Sequence, residues 1–381
     1  MRFPEFQEEW KKCKLGDLCN VLMCKRILAS QTNTEDGVPF YKIGTIGSTP
    51  DAYISKELFD DYKVKYNYPH KGEVMITCAG TVGKCVVYDG EDAYFQDSNI
   101  VWIDNPTQNI SNGFLFHLLS KVDWRKLNST TIIRIYNDDL RNLKMSYPQK
   151  KEQQKISHLL SLLDERIATQ NKIIEDLKKL KSAIIDYAID SLDANFMKFG
   201  YLYETAGEGG TPTTSNASFY DNGKIPFVKI DDLKQKYLTE NKDFITELGL
   251  QKSSAWLVPT HSILFSNGAT IGEISITTYP VCTKQGILGI VPKQNIDVEF
   301  LYYFMSSSYF KKAVSRIVTE GTMKTAYLKD INNILCPIPT KEEQQEIAKI
   351  PSALNSKIDT EKSILKLFIT QKQHLLHQMF I

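Results

Sequence analysis

The sequence predicts an α+β protein with two mixed α/β domains in tandem, which two long antiparallel coiled-coil helices separate and join. Three observations predict this fold class. The chain has 381 residues, which is long enough for two domains. One sequence pattern occurs twice, and two long stretches carry apolar residues at helical spacing. A hydrophobic fraction of 42% and a charged fraction of 24% are ordinary for a folded protein and argue against a disordered chain.

The chain repeats itself with a period of about 190 residues. The segment Pro148–Ile156 reappears as Pro339–Ile347, and Val38–Ile43 reappears as Ile225–Ile230. Two further matches keep the same order along the chain, namely Gly80–Lys84 with Gly268–Glu273 and Phe114–His117 with Phe300–Tyr303. A repeat of this length is the size of a domain, so it indicates a tandem duplication and not a solenoid.

Each repeat begins with a part of mixed character, which predicts domains at residues 1–148 and 191–338. Short apolar runs predict strands, and Gly, Asp and Asn turn signals such as Asp89–Gly90 and Asp221–Gly223 separate them. The runs of the first repeat are Val74–Ile76, Val86–Tyr88 and Ile100–Ile103.

Each repeat ends with a predicted long helix, at residues 149–190 and 339–381. Apolar residues recur there at steps of three and four, which is typical of a coiled-coil seam. The two seams are Ile156, Leu160, Leu163, Ile167, Ile174, Leu177, Ile184 and Ala188, and Ile347, Leu354, Ile358, Leu365, Phe368, Leu375 and Met379. We expect the two helices to pack against each other, antiparallel, with the domains at opposite ends. The alternative is that each helix packs back on its own domain.

The two helices differ at their starts. Thr340 and Glu343 have the spacing of a capping box, whereas the first helix has only Pro148 before it. Pro351 lies within the second helix, where a proline removes a hydrogen bond and costs ~3 kcal/mol or more. We therefore expect a break or kink at Pro351 that divides the second helix into two pieces.

Composition and charge exclude several classes of protein. No apolar stretch approaches the ~18–20 residues that cross a membrane, and the first residues lack the apolar region of a signal peptide, which predicts a cytoplasmic protein. The net charge of +1 argues against nucleic-acid binding by bulk charge but leaves a local basic face open. The seven cysteines form no Cys-x-x-Cys pair and the histidines do not cluster, so no metal site is predicted.

Common catalytic motifs are absent from the sequence. There is no Walker loop, no Gly-x-Ser-x-Gly elbow, no His-Glu-x-x-His and no Asn/Asp-Pro-Pro-Tyr/Phe motif of adenine methyltransferases. Together with the duplicated plan, these absences favour a scaffold or recognition protein over an enzyme.

Several segments resemble the specificity subunits of type I restriction-modification systems, and the resemblance covers essentially the whole chain. It rests on Phe3–Lys12 followed by Lys14–Leu18, on Gly210–Pro212 ahead of Ile225–Phe227, on Gly268–Gly272, and on the twice-used Pro-x-x-x-Glu-Gln-Gln that leads into a long helix. The first repeat departs from the pattern because Lys25–Leu28 stands where a Gly-Thr-Pro is expected.

The resemblance implies two target-recognition domains, each reading one half of a split double-stranded DNA target. It implies that the two helices set the spacer and dock two methyltransferase subunits, and that ATP-driven restriction subunits join the complex. This chain would catalyse nothing and hold no cofactor. S-adenosylmethionine, ATP and Mg²⁺ would belong to partner subunits, and the complex would have adenine-N6 methyltransferase and ATP-dependent endonuclease activity. A helix of ~40 residues is about 60 Å long, which spans at most about 18 base pairs.

Residues that read bases or grip phosphates are polar or basic and lie on loops. The DNA-binding candidates are Lys42, Thr45, Lys84 and Arg134 in the first repeat, and Thr211, Lys229, Asn267, Thr270, Lys324 and Tyr327 in the second. The partner-binding candidates are Glu152, Gln153, Gln154, Glu343, Gln344 and Gln345. The alternatives are that the first set consists of ordinary surface residues, and that the second set only caps and solvates the helices.

Two other functions remain open at this point. A self-contained enzyme would carry its active site in the repeated domains and would methylate DNA without a partner. A coiled-coil adaptor would bind proteins and have no DNA specificity. Duplex binding that weakens steeply with salt would separate DNA recognition from the adaptor, because phosphate contacts release counterions.

Overall fold

The chain folds into two compact units of mixed helix and strand. A computed structural model describes residues 2–127, 134–268, 270–318 and 324–380. Ala269 of the predicted Gly268–Gly272 segment therefore lies outside the described residues. The first unit consists of Met1–Gln170 with Ile364–Ile381, and the second of Asn171–Ser363. Each unit thus takes part of each long helix, in addition to one of the predicted domains.

The first unit contains nine strands and four short helices among its described residues. Its strands are β1 (Lys11–Lys14), β2 (Asn20–Met23), β3 (Val38–Tyr41), β4 (Tyr53–Ile54), β5 (Val74–Thr77), β6 (Cys85–Val87), β7 (Tyr94–Phe95), β8 (Ile100–Asp104) and β9 (Lys144–Tyr147). Its short helices are α1 (Lys56–Lys65), α2 (Asn112–Lys121), α3 (Trp124–Leu127) and α4 (Asn137–Arg141). The first long helix, α5, follows at Lys150–Asp190.

The second unit repeats this order of elements. Its strands are β10 (Asn195–Lys198), β11 (Tyr203–Glu208), β12 (Ile225–Val228), β13 (Tyr237–Leu238), β14 (Asp243–Ile245), β15 (Ile263–Ser266), β16 (Ile274–Thr277), β17 (Cys282–Thr283), β18 (Ile287–Pro292) and β19 (Leu335–Ile338). Its short helices are α6 (Glu247–Gln251), α7 (Val298–Ser306), α8 (Ser308–Ile317) and α9 (Leu328–Ile331). The second long helix, α10, follows at Lys341–Met379.

The sheets of the two units correspond strand by strand. The first unit has a sheet of order β2-β8-β5-β6, a sheet of order β4-β3-β7 and a ribbon β1-β9. The second has β11-β18-β15-β16-β13, β14-β12-β17 and β10-β19. In both three-stranded sheets the central strand pairs antiparallel with one neighbour and parallel with the other. The predicted tandem duplication is therefore present in the fold, and the second unit adds one edge strand, β13.

All three runs predicted in the first repeat form strands, and the runs of β5 and β8 are buried, whereas β6 is partly exposed. The strand β5 is buried at every position, and β8 is buried at all positions except its last. The helix α2 closes one side of this sheet with Phe114, Leu115 and Leu119, none of which is exposed. The corresponding helix α7 does the same in the second unit with Phe300, Leu301 and Phe304.

Within each unit, parts of the two long helices contact each other. In the first unit Lys372 of α10 donates a hydrogen bond to Asp164 of α5, and the core includes Ile156 and Met379. In the second unit Lys181 Nζ of α5 donates to Asn355 Oδ1 of α10 at 3.1 Å. Among the described residues, no helix is long and apolar enough to cross a membrane.

The predicted break at Pro351 is wrong. The helix α10 is continuous from Lys341 to Met379 and Pro351 lies inside it, buried. The turn that follows is held from outside the helix, because Ser352 Oγ donates to Glu299 Oε2 at 2.8 Å and accepts from Lys236 Nζ at 3.0 Å. These contacts join the turn to the domain but do not replace the hydrogen bond that the proline removes. The predicted capping box is confirmed, since the Thr340 amide donates to Glu343 at 2.9 Å and the Glu343 amide donates to Thr340 Oγ1 at 3.4 Å.

A buried histidine predicts that the first unit is sensitive to acid. His117 in α2 has no exposed surface, and its Nε2 lies 3.4 Å from Ser161 Oγ. Burial lowers the pKa of His117 to about 4, since the nearby Asp164 is already paired with Lys372. A histidine that is neutral when folded must gain a proton on unfolding in acid. Its contribution to stability is therefore complete above the unfolded pKa of ~6.5 and declines as the pH falls toward 4, by roughly 3 kcal/mol in all.

The control for this prediction comes from the second unit, where Tyr303 stands in place of His117 and Ser352 in place of Ser161. The two hydroxyl groups are 3.2 Å apart. We expect His117→Tyr to remove most of the decline in unfolding free energy between pH 7 and pH 4.5, measured by chemical denaturation. An unchanged pH profile in the variant would show that other groups cause the acid sensitivity.

Candidate nucleic-acid interface

A polar groove in the first unit is the strongest candidate for contact with nucleic acid. Its cavity has a volume of about 380 Å³ and lies between the strand β3, the loop after β2 and the loop between β7 and β8. Its floor is apolar and includes Phe40 and Ala52. Its polar lining includes Arg26, Thr32, Lys42, Gln96, Asn99 and Arg134. A concave surface with cations and amide side chains offers groups that read base edges and groups that hold phosphates.

Lys42 and Lys229 occupy equivalent positions in the two units, and each is paired with an aspartate at the neighbouring strand, although the two aspartates differ by one position in register. Lys42 follows β3, and its Nζ lies 2.9 Å from Asp51 Oδ1. Lys229 follows β12, and its Nζ lies 2.8 Å from Asp243 Oδ2. The two lysine side chains are 39% and 46% exposed, so each carboxylate orients an accessible ammonium group. The structure thus places the two predicted lysines directly after equivalent strands, β3 and β12.

Of the other predicted residues of the first unit, Arg134 lines this groove, and Thr45 and Lys84 lie at the turn after β3. Thr45 closes the turn after β3, because its Oγ1 accepts the amide of Lys42 at 3.0 Å. Lys84 reaches the same turn and donates to the carbonyl oxygen of Ile46. Arg134 lies in the groove itself and donates from Nη2 to Ser98 Oγ at 3.1 Å. The structure therefore brings all four residues to one region of the unit.

The predicted residues of the second unit are less uniform. Thr211 is half-buried, and its Oγ1 accepts the amide of Gln285 at 3.4 Å. Thr270, Lys324 and Tyr327 are exposed. Lys324 lines a separate, mainly apolar cavity of about 300 Å³ beside Gly272.

Asn267 does not fit the prediction of a base-reading residue. Its side chain is 1% exposed, and Nδ2 donates to the carbonyl oxygen of Ala326 at 3.2 Å. Asn267 directly follows β15, and its buried side chain supports the backbone at Ala326. DNA at the surface would not reach it in this conformation.

Sequence reasoning missed several polar residues that the fold places at or beside the candidate groove. They include Arg26, Thr32, Gln96, Asn99 and the exposed Tyr136. The repeat contains a signal for one of them, because Tyr136 stands where the predicted Tyr327 stands in the second unit. Both tyrosines directly precede a short helix, α4 or α9. The others lie on loops without a conspicuous motif.

The partner-binding prediction must be corrected at the buried positions near the starts of the two long helices. Gln153 and Gln344 are 0% and 1% exposed and bind backbone groups of the preceding domain. The amide of Ser111 donates to Gln153 Oε1 at 2.7 Å, and the amide of Asp297 donates to Gln344 Oε1 at 2.8 Å. Glu152 is buried as well and forms an ion pair with Arg2 at 2.7 Å.

The remaining three predicted residues at the helix starts are accessible. Gln154, Glu343 and Gln345 are exposed, although Glu343 also caps its helix. Its hydrogen bonds with Thr340 hold the pKa of the Glu343 carboxyl below its ordinary value. A contact surface for partners can therefore use these three residues, whereas the buried residues fasten each helix to its domain.

No three His, Cys, Asp or Glu side chains of the described ranges are placed to hold a metal ion. Burial raises the pKa of Cys19, Cys24 and Cys78 to about 12, so these thiols stay protonated at neutral pH.

Comparison with known proteins decides the family. The family model of the type I restriction modification DNA specificity domain matches the chain twice, at residues 7–179 and 193–367. The chain belongs to this family. The resemblance of the repeated segments to specificity subunits is therefore confirmed, and the chain has a DNA-specificity role. Specificity subunits are not themselves catalytic.

Individual relatives agree with the family. A proposed type I restriction enzyme specificity subunit of Haemophilus influenzae is 50% identical over 167 residues, which cover 44% of this chain and 43% of that protein. The match thus spans less than half of that relative. The crystal structure of the S subunit of a type I restriction-modification system from M. genitalium covers 100% of this chain and 97% of its own, at 17% identity and a TM-score of 0.59. A second structure, from work on complex assembly of a type I system, covers 98% of both chains at 15% identity and the same TM-score of 0.59.

These structural matches show the fold. Two tandem domains of mixed helix and sheet with two long helices are the architecture of the specificity subunit, as the sequence predicts.

Proposed function

We propose that each unit of this specificity subunit reads one half of a bipartite double-stranded DNA target. The observation that carries the proposal is that Lys42 and Lys229 follow equivalent strands of the two units and that each is paired with a nearby aspartate, Asp51 or Asp243. Two similar but non-identical surfaces suit a target with two different half-sites. The groove beside Lys42 and the loops around both lysines supply the groups that contact bases and phosphates.

The two long helices set the distance between the half-sites by packing as an antiparallel coiled coil. Contacts within each unit support this pairing, because the end of one helix lies against the start of the other. Lys372 contacts Asp164 in the first unit, and Lys181 contacts Asn355 in the second. Helices of 41 and 39 residues are about 60 Å long at ~1.5 Å per residue, which sets an upper bound on the spacer.

Two methyltransferase subunits dock on this chain, and restriction subunits join them. The related structure from work on complex assembly supports association with other subunits of such a system. The exposed Gln154, Glu343 and Gln345 at the starts of the two long helices are the docking residues. Two equivalent helix starts suit two copies of one partner. S-adenosylmethionine, ATP and Mg²⁺ bind to the partner subunits. This chain binds the DNA target and positions it for them.

Methylation mapping tests the function. Genomic DNA from cells that carry this gene with its methyltransferase partner genes is compared with DNA from cells that lack this gene alone. We expect a split adenine-methylation motif that is present only with this chain. Exchange of residues 1–148 for the equivalent domain of another specificity subunit is expected to change one half-site and leave the other half-site and the spacer intact.

The reciprocal exchange of residues 191–338 is the matched control and is expected to change only the other half-site. A motif that changes in both halves after either exchange contradicts independent reading. Methyl transfer by the purified chain without partners contradicts a purely recognising role. If methylation with active partners does not depend on this chain, the proposed function fails.

A further inference from the structure

The groove of the first unit carries two arginines where the second unit carries threonines. Arg134 and Thr325 occupy equivalent positions, because each precedes the residue whose amide bonds to the end of an equivalent strand. The amide of Ile135 donates to the Cys78 carbonyl oxygen at 2.9 Å, and the amide of Ala326 donates to the Asn267 carbonyl oxygen at 2.9 Å. The backbone is therefore equivalent at Arg134 and Thr325, and only the side chain differs.

The second difference is at Arg26, whose counterpart is Thr211. Each residue lies three positions beyond the end of an equivalent strand, β2 or β11. Each also contacts the loop that precedes the next strand of the sheet. Arg26 Nε lies 3.7 Å from Asp97 Oδ2, and Thr211 Oγ1 accepts the amide of Gln285.

The two arginines are held differently. Arg134 is half-buried, donates to Ser98 Oγ at 3.1 Å, and lies with its guanidinium carbon 5.9 Å from the centre of the Tyr136 ring. The side chain of Arg26 is 75% exposed and only approaches its carboxylate. A guanidinium held by its surroundings loses less conformational freedom on binding, and its planar fork matches two acceptors at once.

We propose that Arg134 is a specificity-determining residue of the first unit and reads a guanine in its half-site. Guanine presents O6 and N7 as neighbouring acceptors in the major groove, and a guanidinium binds both. Thr325 has no such fork, so the half-site of the second unit lacks this contact. This inference rests on the proposed reading of one half-site by each unit.

Arg26 and Lys42, at the same groove, have a different role. The exposed Arg26 and the partly exposed Lys42, which Asp51 orients, grip phosphates through their charge, and such contacts strengthen binding to all sequences alike. Loss of Arg134 and loss of Arg26 should therefore have different consequences for base preference.

The test uses the full chain assembled with its methyltransferase subunits. Binding is measured on duplexes that carry the mapped target, and on the same duplexes with 7-deazaguanine in place of each guanine of the first half-site. This analogue keeps base pairing but lacks N7. We expect one such position to weaken binding by the wild-type chain, and Arg134→Thr to lose roughly 10- to 100-fold of the preference for guanine there.

Two further variants keep the inference falsifiable. Arg134→Lys retains the charge but lacks the fork, and we expect it to lose most of the same preference. Arg26→Thr removes an arginine from the same groove, and we expect it to weaken binding to all sequences and to reduce the salt dependence while leaving the preference intact. Thermal unfolding of each assembled variant confirms that the fold is kept.

Three results would overturn the inference while leaving the proposed function standing. They are a first half-site without guanine on either strand, an Arg134→Thr chain that keeps the full sensitivity to 7-deazaguanine, and an Arg134→Thr chain that weakens equally on all sequences. A methylation motif independent of this chain would instead overturn the proposed function itself.

Discussion

Replacement of Gln153 by leucine is expected to destabilise the first unit by about 3 kcal/mol or more. The side chain is fully buried and bonds three backbone groups, as its Oε1 accepts from the Ser111 amide and its Nε2 donates to the carbonyl oxygens of Asn109 and Pro148, both at 2.9 Å. Leucine has a similar size but no polar group. Each buried partner left unpaired costs roughly 1–3 kcal/mol.

The second unit offers an independent copy of this experiment. Gln344 is equally buried and bonds the backbone of Asp297, Asn295 and Pro339. The matched controls are Gln154→Leu and Gln345→Leu, at the exposed neighbouring positions, which should change the unfolding free energy by less than about 0.5 kcal/mol. Chemical denaturation measures the change in unfolding free energy. Hydrogen exchange at the Ser111 amide shows whether the loop before α2 opens before the rest of the unit unfolds. A tolerated Gln153→Leu would mean that the network does not fasten the helix to its domain.

The glutamine pair shows what the sequence could and could not predict at the starts of the long helices. The repeated Glu-Gln-Gln marks both helix starts correctly, because identical backbone junctions need the same side chains in both copies. The sequence does not show which of two adjacent glutamines faces inward. That depends on the angle at which the helix leaves its domain, and this angle is a property of the packing.

The same limit explains the errors at Asn267 and Pro351. The sequence predicts that Asn267 reads DNA because it follows a strand and precedes a loop, yet its strand carries it into the core. The local chemistry of Pro351 predicts a broken helix, and this prediction would be reasonable for a helix without tertiary contacts. The bonds of Ser352 come from Lys236 and Glu299, which lie far away in the sequence.

The residues predicted best are those that both copies share. Lys42 and Lys229 stand out in the sequence because each follows Pro-Phe-x, and the structure gives each an aspartate partner. Arg26 escapes this comparison because its counterpart is Thr211. A comparison of the two repeats identifies the residues that both share. Residues that distinguish one half-site from the other must differ between the repeats, so this comparison does not identify them.

Replacement of Glu299 by alanine is expected to destabilise the second unit by about 3–5 kcal/mol. Its carboxylate accepts hydrogen bonds from Lys236, Tyr237 and Ser352. The Lys236 side chain is only 2% exposed, so without the carboxylate its charge stays buried and unpaired. Burial opposes ionisation of Glu299, but the hydrogen bonds outweigh it and hold the pKa of Glu299 below its ordinary value.

The double variant Lys236→Met with Glu299→Leu is expected to recover most of this loss. Burial lowers the pKa of Lys236 although the Glu299 carboxylate beside it acts to raise it, so the buried ammonium group carries a desolvation cost. A well-packed apolar pair of similar volume avoids that cost. Denaturation of the wild-type chain, both single variants and the double variant gives the coupling free energy, and simple additivity of the two single changes would contradict a coupled pair.

The pH dependence provides a second readout of the same pair. A carboxyl whose pKa is lower in the folded chain contributes stability above the pKa of the unfolded carboxyl, and that stability is lost as the pH falls through the folded pKa. Part of the acid-induced decline of the second unit should therefore disappear in the double variant. His117→Tyr in the first unit should leave that part unchanged, because His117 and Glu299 belong to separate clusters. The two declines can then be assigned to their units by hydrogen exchange at each pH, since α2 reports on His117 and α7 on Glu299.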